Sequence, residues 1–146
     1  MNIKSKAPVA ARVLLGLPLV VFGLNGFFQF LPMPPMEGDA ATFMGGLAAG
    51  GYFFPLLKAT EIAAGLALLS GRFVPLALTV LAPIILNIVA FHALVVGGGV
   101  ALPLVMLALG LYLAWAYRSS FASVLEPRSQ PTDAGDDVQA GLPAHA

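Results

Sequence analysis

Six polar residues carry most of the chemistry this chain can do, because the sequence around them is almost entirely apolar. Lys58 and Glu61 lie inside GYFFPLLKATEIAAGLALLSGR, residues 51–72. On insertion scales a charge at the centre of a membrane span costs about 2.5–3.5 kcal/mol. Three positions apart on a helix, the two side chains can touch. Either they pair, or Lys58 snorkels towards the interface and leaves Glu61 to its surroundings. A carboxyl held in lipid must be paired or protonated, so Glu61 is a candidate proton-handling group. Asn25, Gln29, Asn87 and His92 complete the set. Glu and His move protons, whereas Asn, Gln and Lys donate hydrogen bonds to oxygen-bearing ligands. Glu61 and His92 are therefore the candidate catalytic groups, and Asn25, Gln29, Lys58 and Asn87 the candidate ligand-binding groups. No metal-ligand set is assigned. The plainer alternative is that the amides are interhelical hydrogen-bonding residues, worth about 0.6 kcal/mol each, and that His92 is a packing histidine.

Composition narrows the setting. Of 146 residues, 59% are hydrophobic and 10% charged, with a mean hydropathy of +0.91. Soluble domains carry about 25% charged residues, so the expectation is a membrane protein with the lipid bilayer as its main partner. Net charge is zero and there is no basic run, which argues against nucleic-acid binding. The absence of cysteine excludes disulfides, cysteine-held iron–sulfur clusters and c-type haem attachment.

Four apolar runs, residues 9–31, 52–69, 73–96 and 100–117, are expected to span the membrane, which needs about 20 residues. The first follows a short basic start, as a signal peptide does, but it is long and lacks a small-x-small cleavage pattern, so retention as a span is expected. Pro32, Pro34 and Pro35 must end it. Asp39 is expected to cap a short interfacial helix over residues 40–49, with Phe43, Met44 and Leu47 on one face. Pro8, Pro55, Pro75 and Pro103 fall in first turns, whereas Pro18 and Pro83 are interior and free the carbonyls of Leu14 and Thr79. The tight links at Gly71-Arg72 and Gly97–Gly99 force antiparallel neighbours. The predicted fold class is thus an all-α membrane protein: four transmembrane helices in an up-down bundle, with an interfacial helix between the first and second. Residues 1–118 form this domain. Residues 119–146 form a cytoplasmic, mostly disordered tail, clearest over 127–146.

Lys4, Lys6, Arg12, Arg72, Arg118 and Arg128 all fall on one side of that layout, and Glu37 and Asp39 on the other. The positive-inside rule then places both termini in the cytoplasm, as in a protein of the bacterial inner (plasma) membrane. All six polar candidates fall in the outward half. Asn25 lies about 9 Å below its helix end, and Glu61 and Asn87 about 14 Å below theirs. Glu61 with Asn25 and Asn87 is expected as the inner cluster. Asn87 and His92 are about 140° apart around an ideal helix, so they share a site only if the Pro83 region distorts it.

The succession GLNGFFQFLP and then GYFFPLLKATEIAAGLALLSGRFVPLALTVLAPIILNIVAFH resembles the DoxX family of small four-helix bacterial membrane proteins. The likeness covers residues 11–117 and rests on Gly23, Leu24 and Asn25, on Glu61 with Gly65 to Arg72, and on Asn87 and His92. Many members carry a basic residue shortly after the first-helix glycine, where this chain has Gly26; Lys58 could replace it in space. The family name comes from subunits linked to quinone-dependent thiosulfate oxidation, so the resemblance implies a redox-linked membrane role.

Three functions compete. The first is a subunit of a quinone-linked redox complex, with no covalent cofactor, a bound quinone, and a partner protein as electron source. The chain has no flavin fingerprint, and one intramembrane His cannot supply bis-His haem ligation. The second is a non-catalytic assembly protein, including a homo-oligomer. The third is a small-solute or proton pathway through Glu61; such pathways usually need repeats, and none is evident.

Overall fold

The structure is a computed structural model that describes residues 3–33 and 35–122, with the side chains of residues 3–5 excepted. It is all helical, with no strand among the described residues. In chain order the helices are α1 (Ile3–Phe28), α2 (Gly38–Ala49), α3 (Phe53–Ser70) and α4 (Val74–Ala90). A π-helical segment (Phe91–Val96) continues α4, and α5 (Ala101–Ala116) and a single turn, α6 (Arg118–Phe121), follow. The tail expected over residues 127–146 lies outside the described residues. Before it, α6 brings Phe121 against the core.

Three helices are long and apolar enough to cross a membrane: Lys6–Phe28, Phe53–Ser70 and Val74–Val96. The fourth, α5, has 16 residues, or about 24 Å, short of the roughly 30 Å hydrocarbon core. The helices close into a ring, α1 on α3, α3 on α4, α4 on α5 and α5 back on α1. α2 lies across the end of the bundle, on α3 and the π segment.

Proline and glycine explain most boundaries. Pro55, Pro75 and Pro103 sit within the first three residues of α3, α4 and α5, where no helical N–H is lost. Pro8 does not open α1, which already begins at Ile3 and runs through both Pro8 and Pro18. Asp39 does not cap α2. Glu37 occupies the cap position without a side-chain bond, and Asp39 lies in the first turn, where its charge still suits the helix dipole. Gly71, at φ +73, ends α3 in the left-handed conformation that favours glycine, and Phe73 takes the same region to start α4.

α1 and α3 pack closest. A Cβ at Gly16 would lie 2.9 Å from Gly65 O, and one at Gly65 would lie 2.9 Å from Gly16 O. Only glycine lets the two backbones approach so closely. Arg12 meets Gly71, Gly16 meets Leu68, and Gly23 meets Ile62, so the two helices run antiparallel. The apolar core of Leu15, Leu19, Leu68, Val74, Leu78, Leu81, Ile85 and Leu113 gathers at the end nearer the Ser70–Val74 link. Outward-facing residues such as Leu14, Leu17, Leu56, Leu66, Leu76, Leu86 and Leu111 are exposed, leaving a surface far more apolar than soluble monomers show.

Candidate functional site

Only two polar residues, Asn25 and Glu61, are buried among the described residues, and both lie towards the end opposite the apolar core. Glu61, 4% exposed, accepts a 2.8 Å hydrogen bond from Lys58 Nζ. The (i, i+3) spacing places the two on adjoining parts of one α3 face. Of the two behaviours open to Lys58, pairing is the one observed. Its aliphatic stem crosses α1 at Gly26, where a Cβ would lie 2.5 Å from Lys58 Cγ. Gly26 is therefore the seat of the lysine stem, the place where the resemblance expected Lys58 to stand in for a basic residue of the first helix.

Asn25 has a defined structural task. Its Oδ1 accepts from Leu31 N–H at 2.6 Å and its Nδ2 donates to Leu31 O at 3.2 Å. This two-way bridge folds the chain back at the end of α1. Beneath it, Gln29 N–H donates to Asn25 O at 2.9 Å, and Gln29 adopts a left-handed φ of +50°. That is an αL helix cap with Gln in place of the usual Gly. The side chain of Gln29 is exposed and faces a pocket of about 480 Å³ formed with Phe22, Asn25, Gly26, Leu31, Pro32, Met33 and Lys58. Asn25, Gln29, Lys58 and, through Lys58, Glu61 thus converge on one pocket.

His92 and Asn87 do not join them. Asn87 is exposed on the outer face of α4, outside the expected cluster with Asn25 and Glu61. His92 lies in the π segment and lines a separate pocket of about 460 Å³ with Met33, Met36, Glu37, Ala40 and the Gly98-Gly99 turn. The backbone distortion in this stretch begins at Phe91, beyond Asn87 and not at Pro83. At its start the Phe91 N–H is shared between the carbonyls of Asn87 and Ile88. His92 Nδ1 also bonds Ile88 O at 2.9 Å. Because a carbonyl only accepts, Nδ1 must carry the proton, and a neutral ring then keeps its lone pair on Nε2. Met33 lines both pockets, so they adjoin. The residue pattern alone gives Met33 and Met36 no role, and Glu37 enters it only as an acidic residue on the side away from the basic ones.

Comparisons of the chain with protein-family models, with curated proteins and with solved structures returned no match. The functional reading therefore rests on the geometry of these two pockets and on the resemblance carried by the motifs themselves.

Proposed function

We propose that this is a DoxX-like integral membrane protein with four spans and both termini in the cytoplasm. In this reading it binds a quinone head group in the Lys58 pocket, as a subunit of a redox complex in the bacterial inner membrane. The observation that carries the reading is the Lys58–Glu61 ion pair beside a pocket of about 480 Å³, a size ordinary for small-molecule sites. Lys58 Nζ donates to a quinone carbonyl, Gln29 offers an amide beside it, and Phe22, Leu31 and Pro32 supply apolar walls. Reduction to the quinol takes two electrons and two protons. A partner protein supplies the electrons, and Glu61, bonded to Lys58, relays protons. The lysine stem over Gly26 supports the family membership, because it returns a positive charge to the level of the first-helix glycine.

A short-chain ubiquinone analogue tests the assignment on purified protein in detergent. At a hundredfold excess over its dissociation constant, it should stabilise the protein by about 2.7 kcal/mol. Lys58→Met and Gln29→Ala should lose most of that gain, whereas His92→Ala, in the neighbouring pocket, should keep it. No ligand-dependent shift in the wild type, alone or with candidate partners, would remove the quinone reading.

The orientation is checked separately. The chain has no native cysteine, so a single cysteine placed at Thr42 should react with an impermeant thiol reagent added outside intact cells. Labelling only after lysis would invert the proposed topology.

A second reading, a non-catalytic assembly protein, is favoured by one observation. Asn87 presents an amide on the exposed face of α4, where a neighbouring helix could satisfy it.

A further inference from the structure

The pocket around His92 holds a donor set that the quinone reading does not use. Met33, Met36, Glu37 and His92 all line it. Met33 and Met36 are 62% and 43% exposed, so neither thioether is consumed in packing the core. They lie three residues apart in PMPPMEG, a linker whose prolines restrict its backbone.

The histidine is set up as a ligand. Metal-binding imidazoles almost always anchor the remote N–H on a carbonyl or carboxylate, which fixes both tautomer and ring orientation. The Nδ1 bond to Ile88 O at 2.9 Å is such an anchor, and it leaves Nε2 as the donor. The ring is further held edge-on by Phe91, at 5.6 Å and 87°, and Phe91 in turn stacks on Phe43 of α2 at 5.5 Å. On the other side Gly98 N–H donates to His92 O at 3.2 Å, and a methyl at Gly99 would touch His92 Cδ2 at 3.5 Å.

We propose that Met33, Met36 and His92 bind monovalent copper, with Glu37 supplying the compensating negative charge. Two thioethers and an imidazole are soft donors, and thioethers select Cu(I). Zinc sites draw on three or four thiolate, imidazole or carboxylate ligands, and no three of His, Cys, Asp and Glu gather among the described residues. The site is separate from the Lys58 pocket and does not depend on the quinone reading, although Met33 borders both.

The test is an anaerobic titration of the full-length protein in detergent with Cu(I), against bicinchoninate as a competing chelator. One equivalent should bind. Met33→Leu combined with Met36→Leu, and separately His92→Phe, should each weaken binding by at least about tenfold. Met44→Leu and Met106→Leu should leave it unchanged. Leucine matches methionine closely in volume, so folding should survive the double change. In parallel, Ag(I) added to protein carrying methyl-labelled methionine should shift the Met33 and Met36 methyl resonances and spare those of Met44 and Met106. Absence of Cu(I) binding in the wild type, or equal affinity in the wild type and the double methionine variant, overturns the assignment.

Discussion

At the end of the bundle that holds Arg12 and Arg72, Leu15, Leu68, Leu81 and Leu113 are fully buried, and the backbones of α1 and α3 touch at Gly16 and Gly65. At the opposite end the buried side chains include Asn25 and Glu61. There the backbone departs from regular helix at Gln29, in the π segment and at Gly97 and Gly99, and two polar-lined pockets open. Dense packing at one end fixes where the helices stand. The other end can then spend its side chains on polar groups that contribute less to stability. Local stability commonly divides in this way, with binding regions drawn from the weaker part.

Charge makes the largest test of that division. Lys58→Met leaves Glu61 buried without its cation, and breaking such a pair costs about 3 kcal/mol. The combined Lys58→Met and Glu61→Gln change should recover more than half of the loss, as read by reversible unfolding in mixed micelles. Strictly additive losses would show that the two do not stabilise each other. Next comes the packed end. Leu68→Ala should cost about 2 kcal/mol, the low end for such truncations, because in the micelles of this assay the dissociated helices stay out of water and mainly the lost packing counts. It should leave the ligand response of the Lys58 pocket unchanged. A Leu68→Ala protein that unfolds normally but no longer binds would break the separation of the two ends. The smallest effect is expected at Asn87. Asn87→Leu should change stability by no more than about 0.6 kcal/mol, yet it should abolish any self-association seen by analytical ultracentrifugation if the assembly reading holds. Unchanged association would remove that residue's support for it.

The sequence showed the architecture well, because the apolar runs and the prolines at their starts are local signals. The antiparallel α3–α4 and α4–α5 pairs follow from links too short to allow anything else, whereas the close seating of α1 on α3, across the long segment that holds α2, comes from the glycines at their contact. The site was less readable. Spacing put Glu61 within reach of Lys58, but it left pairing and snorkelling equally open, and the structure shows the pair. Grouping Asn87 with them failed because depth along a helix says nothing of direction around it. Asn87 shares its level with Glu61 but sits on the exposed face of α4. The role of Asn25 was equally hidden. A bridge to both polar groups of Leu31 depends on a left-handed turn at Gln29, and glutamine gives no warning of that conformation. The π segment left no trace in FHALVV, where nothing breaks the helical pattern.

That segment also bears on how the chain tolerates changes of length. A deletion within α3 would turn everything beyond it by about 100°, carrying Glu61 or Gly65 away from α1. A π turn holds one residue more than the α turn it interrupts. Removing a residue such as Leu94, which is 83% exposed, would let α4 close as ordinary helix with the ring of four helices still threaded as before. The same deletion would swing His92 relative to the linker methionines. The bundle can thus absorb a one-residue change at this point, and the cost would fall on the pocket and not on the fold.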